Sequence, residues 1–214
     1  MITIADHTLS RLVAQTRPHV GNLTDVEAIQ CITFEYDNGV LYALATNRYT
    51  VALSRTQVTS GNDKPWHAII HRFQIPELAA AVRLLDAKPI TLERTQGQLV
   101  LSGASGTRIA IDLSPFAQKP PLDWRKIMLA AIERPASDAE MSMTPKFFGA
   151  WKNLPGPVHM WSTGEGKPTL IVAPDFLGAQ MPVVRRDAEN DTLRRELDGW
   201  LAAKRDESAA PAAA

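Results

Sequence analysis

Ile29-Gln30-Cys31-Ile32-Thr33-Phe34-Glu35-Tyr36-Asp37-Asn38-Gly39-Val40-Leu41-Tyr42-Ala43-Leu44-Ala45 reads as two strands and the turn between them. In the first half Ile29, Cys31, Thr33 and Glu35 alternate with Gln30, Ile32, Phe34 and Tyr36, the two-residue period of a strand. Asp37-Asn38-Gly39 supplies the turn, and residues 40–45 run back. Residues 50–58 add a third strand. Ahead of the hairpin, residues 1–5 alternate as a short strand. Residues 8–15 then place Leu9, Leu12 and Val13 at helical spacing, and Pro18 stops that helix. The order is strand, helix, three strands.

The same order returns twice. Residues 66–74 read as a strand. Residues 76–87 read as a helix with Leu78, Val82 and Leu85 on one face and Pro76 in its first turn. Residues 90–94, 99–102 and 107–113 read as strands. A third copy has a strand at 139–143, a helix at 145–154 and strands at 158–162, 169–173 and 178–184. Three βαβββ units at intervals of roughly 50 to 70 residues form an internal repeat carried by pattern, since few letters coincide. The predicted class is α+β. The units group as a complete domain over 1–118 and a half-domain over 139–186, with a Pro-rich linker at 119–138 that holds a short helix over 123–132. After them come a helix over 187–206, with Leu193, Leu197, Trp200 and Leu201 on one face, and an Ala-rich tail over 207–214 that is expected to be disordered.

Composition narrows the function. The 214 residues are 45% hydrophobic, with 15 Pro and 12 Gly, enough for one good core or two small ones joined by many turns. Lys and Arg number 23 and so do Asp and Glu, so any DNA contact must come from a local face. The single cysteine, Cys31, excludes an intramolecular disulfide and a Cys-rich zinc site. No signal-peptide pattern and no apolar run of membrane length is present, so a soluble cytoplasmic protein is expected.

Two separated stretches carry a family resemblance: Ala45-Thr46-Asn47-Arg48-Tyr49-Thr50-Val51, and Gly178-Ala179-Gln180-Met181-Pro182-Val183. Together with Leu122-Asp123-Trp124-Arg125-Lys126-Ile127 they resemble, in order and spacing, segments of the bacterial DNA polymerase III beta subunit, the sliding clamp. The first resembles the Ala-Thr-Asp-Gly-aromatic-basic-Leu motif of its middle domain. The second ends in its Met-Pro pair, and the third is similar to its Pro-Asp-Tyr-Arg-Arg-Val segment. The resemblance covers residues 1–185. The family's first domain and the first half of its last domain have no counterpart. Asn47, Arg48 and Thr50 also replace the usual acidic, glycine and basic residues.

The resemblance implies a clamp fold, with antiparallel sheets outside, helices inside and two βαβββ units per domain. It also implies a partner-peptide cleft formed by Ile29, Thr46, Arg48, Tyr49, Val51, Lys126, Ile127, Ala179, Met181, Pro182 and Val183. Such a cleft works by burying two or three apolar anchors of a short peptide. Expected partners are a DNA polymerase and a clamp loader, through short hydrophobic motifs, and duplex DNA without regard to sequence. DNA would be held by phosphate attraction through Arg11, Arg17, Arg83, Lys88, Lys146 and Lys152 on the helices. A homo-oligomeric ring is expected. Three half-units per chain need about four chains to match the twelve of the family's rings, or three chains if the linker replaces the lost half. The alternative is an adaptor or decoy that binds clamp-binding peptides without encircling DNA.

No catalytic set emerges, and neither metal nor cofactor is expected. His67 and His71 have the i,i+4 spacing of a helical zinc pair, but they lie in a strand reading that separates them by about 13 Å. Gly164-Glu165-Gly166-Lys167-Pro168-Thr169 lacks the glycine spacing of a phosphate loop and reads as a hairpin turn. Cys31 has no evident histidine partner. An accessory processivity factor fits better than an enzyme.

Overall fold

A computed structural model describes residues 1–22, 26–61, 64–115, 122–135 and 143–183, together with Thr192, Arg195 and Glu196. The first unit comprises β1 (Ile2–Ile4), α1 (Thr8–Thr16), β2 (Cys31–Asp37), β3 (Val40–Thr46) and β4 (Thr50–Gln57). The second comprises β5 (Trp66–His71), α2 (Ile75–Leu85), β6 (Ile90–Arg94), β7 (Gln98–Gly103) and β8 (Arg108–Asp112). Next come α3 (Trp124–Ile132), α4 (Pro145–Phe148), β9 (His159–Ser162), β10 (Thr169–Ala173) and β11 (Phe176–Gln180). Residues Met1–Pro182 form one compact unit, and Val183–Ala214 a second.

The opening hairpin forms as its alternation demands. Asp37 pairs with Val40 at the turn, and Asn38 and Gly39 both take the positive φ that a tight reversal needs. Each unit's first strand crosses to the other unit. β1 pairs with β6, giving a sheet β1-β6-β7-β8, and β5 pairs with β2. The second sheet runs β5-β2-β3-β4-β11-β10-β9, so the third unit continues the first unit's sheet through the β4–β11 pair.

Both main helices bury one stripe. Leu9, Leu12 and Val13 of α1, and Leu78, Ala81, Val82 and Leu85 of α2, join a core that also takes side chains from both sheets. The helices are tied end to end. Asp86, just past α2, accepts the Ser10 amide on its carboxylate and the His7 amide on its carbonyl, which caps the α1 N-terminus.

Several expectations need revision, and the strands expected over 66–74 and 178–184 end at His71 and Gln180. Ile29 lies in a 3-10 turn (Glu27–Ile29) and not in the strand, which begins at Cys31. The third unit's helix is one turn, Pro145–Phe148, followed by a 3-10 turn over Gly149–Trp151. Gly149 weakens helix there, and the tighter turn drops Trp151 onto the sheet. The α1 helix passes into a 3-10 turn, Arg17–His19, that contains Pro18. The strand at 139–143 lies outside the described residues except for Met143, as does the helix over 187–206 except for Thr192, Arg195 and Glu196.

Candidate partner-peptide cleft

The loop between β3 and β4 is built around one side chain. Asn47 Oδ1 accepts the amides of Tyr49 (3.0 Å) and Thr50 (2.8 Å) and the Thr50 hydroxyl (3.0 Å). Thr46 Oγ1 donates to the Thr50 carbonyl at 2.8 Å, and Arg48 sits at φ 74°. A single asparagine side chain thus forms the turn. Because the Thr50 hydroxyl proton is given to Asn47, the buried His19 must donate its Nδ1–H to Thr50 Oγ1, 2.9 Å away. Burial pushes His19 down to about pKa 4, against a weaker upward pull from Ala150, so the ring is neutral at neutral pH.

This loop meets the C-terminal end of β11. Val51 stands opposite Ala179, Thr50 opposite Gln180, and the Met181 amide donates to the Tyr49 carbonyl at 2.8 Å. The two stretches, remote in sequence, form one ladder. Its neighbouring residues face opposite ways. Val51, Ala179 and Leu170 point to the side covered by Met128 and Ala131 of α3. Ala52, Ile171 and Phe176 point to the other side, where Trp151 packs. Trp151 lies 4.2 Å from the His19 ring and donates from Nε1 to Gln180 Oε1 at 2.6 Å.

α3 is fastened across the seam. Asp123 caps it by accepting the Lys126 amide, and Trp124 Nε1 donates to Glu35 at 3.1 Å. Arg125 pairs with Glu35 and Asp37 and lies over the Trp124 ring at 4.3 Å. Two hollows flank the helix on this face. One of about 400 Å³ is lined by Ile132, Trp161, Leu170, Val172 and Leu177 among others. The other, about 300 Å³, is lined by Tyr42, Leu53, Trp124, Phe176 and Leu177 among others.

The expected cleft residues separate into two groups. Ile29, Thr46 and Ala179 are buried and structural: Ile29 packs against Gly21, and Thr46 holds its own loop. Val51 is half-buried under α3. Tyr49, Met181 and Ile127 are exposed at 55%, 42% and 42%, and Arg48 and Lys126 are exposed beside them. Pro182 is half-buried, and Val183 begins the second unit. Tyr49 stacks on Phe147 of α4, with ring centroids 5.4 Å apart. Trp124, Met128 and Leu170 were not expected at the seam. The i, i+4, i+7 spacing of Trp124, Met128 and Ala131 carries the signal that α3 has an inward face.

Arg17, Arg83, Lys88, Lys146 and Lys152 are exposed on or beside the helices. Arg11 is not available in the same way. Its guanidinium is half-buried and donates to Ser54 Oγ (3.4 Å) and the Arg55 carbonyl (3.0 Å), strapping α1 to β4. The alternative sites are also placed. His67 and His71 lie in β5, and Gly164–Thr169 spans the β9–β10 turn, where the Lys167 amide donates to the Gly164 carbonyl. Cys31 is buried, its thiol pushed up to about 11 by desolvation.

No protein-family model and no curated protein sequence matches the chain. Solved structures do. It superposes on the DNA polymerase sliding clamp from Bacillus subtilis with a TM-score of 0.63 and 17% identity, over 86% of this chain and 64% of that one. The DNA polymerase III beta subunit from Thermotoga maritima gives 0.67 at 11% identity, over 87% and 66%. A Pseudomonas aeruginosa sliding clamp gives 0.66 at 12%, over 86% and 66%. The fold is that of a sliding clamp. This chain spans 64–66% of the length of these solved clamps. The β4–β11 ladder is where the first unit's sheet continues into the strands of the third unit.

Proposed function

We propose that the chain is a clamp-like tether that holds a DNA polymerase or another DNA-processing protein on duplex DNA, acting as a homo-oligomer and without chemistry of its own. One observation carries the reading. The β4–β11 ladder sets Tyr49 beside Met181, with Val51 opposite Ala179, so the two resembling stretches lie side by side at one exposed seam. Tyr49, Ile127 and Met181 offer a partner peptide apolar surface that already lies in water, with a flat ring and an adaptable thioether as anchors.

Fluorescence anisotropy with a short hydrophobic clamp-binding peptide tests this. Tyr49→Ala combined with Met181→Ala is expected to weaken binding at least tenfold, about 1.4 kcal/mol, while thermal unfolding stays two-state. Unchanged affinity in the double variant would overturn the cleft.

DNA is expected at the helical face, through phosphates alone. Changing Arg17, Arg83 and Lys146 together to Glu should lower DNA association and shrink the slope of log K against log salt, by about one for each phosphate that is no longer neutralised. An unaltered slope would remove these helices from the DNA-facing role.

A further inference from the structure

α3 covers a strip that runs straight out of the candidate cleft. Val51 and Leu53 of β4 share one face of the sheet with Ala179 and Leu177 of β11. Register pairs Val51 with Ala179 and Ala179 with Leu170, a row across three strands. One step further along the same alternation stand Tyr49 and Met181, the exposed pair at the end of the ladder. Val51 and Ala179 are thus the floor of which Tyr49 and Met181 are the rim. That floor is occupied. Met128 and Ala131 of α3 lie on it, 1% and 5% exposed.

The helix makes this contact as a ligand would. Trp124, Met128 and Ala131 recur at i, i+4 and i+7, the anchor spacing with which an amphipathic segment enters an apolar groove. Whereas α1 and α2 bury a whole stripe in the main core, α3 buries Met128 and Ala131 and half-buries Trp124. Its polar fastenings gather at its N-terminal end. Arg125 pairs with Glu35 and Asp37, and Trp124 Nε1 donates to Glu35. The Arg125 side chain is 40% exposed, so water and salt weaken those pairs. A segment held this lightly can lift while the β4–β11–β10 ladders beneath it stay paired strand to strand.

We infer that α3 is a latch that competes with the client peptide for the Val51–Ala179 floor. Latched, the chain offers the shallow surface of Tyr49, Ile127 and Met181. A client that lifts α3 exchanges Ile127 for the deeper floor and keeps the rim. Because it takes the place of Met128 and Ala131, the fitting segment carries a long unbranched side chain beside a small one. The inference rests on the peptide cleft of the tethering reading and adds its regulation. A latch closed about nine-tenths of the time raises the apparent Kd about tenfold, and loosening it returns that factor.

Fluorescence anisotropy with the clamp-binding peptide is the test, on the full chain, on Arg125→Ala and on Met128→Glu. The first variant removes the charged fastening, and the second sets a charge against the apolar floor. Both are expected to bind the peptide about three- to tenfold more tightly. Hydrogen exchange gives a readout that a merely structural helix would not move. α3 amides of the unmodified chain should exchange faster when the peptide is bound. Unchanged or weaker affinity in both variants, or α3 amides that slow or hold steady under bound peptide, would overturn the latch. Peptide binding with α3 still protected would keep the cleft and reject the latch. Tighter binding by the variants, lost again on adding Tyr49→Ala/Met181→Ala, would establish both. No binding by any form would reject the cleft, and the latch with it. If the variants do not fold, exchange on the unmodified chain decides.

Discussion

Replacing Trp151 with alanine is expected to lower the unfolding free energy by about 3–5 kcal/mol, the range for losing a large core aromatic. Several groups depend on this one ring. It packs against His19 on one side and stands edge-on to Phe176 on the other, with centroids 4.2 and 6.0 Å away. It lies over Gly178 so closely that a Cβ there would come within 2.7 Å of it. Its Nε1–H satisfies Gln180, whose own amide nitrogen is buried and already lacks a partner. Alanine would therefore open a cavity and strand a buried acceptor together, and the two costs add. Urea unfolding followed by far-ultraviolet circular dichroism reads the change. A loss below about 0.5 kcal/mol, the size of an ordinary surface substitution, would mean that the turn carrying Trp151 contributes little to holding the third unit on the sheet.

The second large effect is acid sensitivity. His19 is neutral in the fold, with a pKa lowered from 6.5 to about 4, whereas in the unfolded chain it takes up a proton near 6.5. Between these values the unfolded state binds more protons, so stability falls as pH drops from about 6.5 toward 4 and is fully retained above that window. The shift corresponds to about 3 kcal/mol at its full extent. Burial also lowers His71 and adds a smaller contribution of the same sign. Carboxylates titrate in the lower part of this range, so the measurement is a difference. Urea midpoints from near neutral pH down to about 4.5 should fall more steeply for the natural protein than for His19→Gln. Parallel profiles would show that His19 does not govern the acid limb.

The hairpin at Ile29–Ala45 was legible because its alternation and its Asn-Gly turn agree, and only Ile29 and Gln30 slipped out of the strand. The helices α1 and α2 followed from spacing. α4 did not, because Gly149 and the demand for Trp151 at Gly178 outweigh apolar spacing over 145–154. The seam between β4 and β11 has no local signature at all. Nothing in Val51 or Ala179 says that they are opposite each other, and only the resemblance placed them together. His19 was invisible for a similar reason. After Arg17 and Pro18 it looks like a connector, and its burial depends on Thr50 and Trp151, both remote in sequence. Arg11 carried a plausible basic-face pattern, but the sheet claimed its guanidinium first.

The β4–β11 ladder makes the candidate cleft a report on assembly. Tyr49 and Met181 are held together by a backbone hydrogen bond at the end of that ladder, so they are adjacent only while β11 is zipped onto β4. If the cleft is the binding site, a chain whose third unit has peeled away would offer a partner only two separated fragments of it. On the proposed reading, recruitment would thus be proofread by folding itself, since Tyr49 and Met181 are joined only by that ladder.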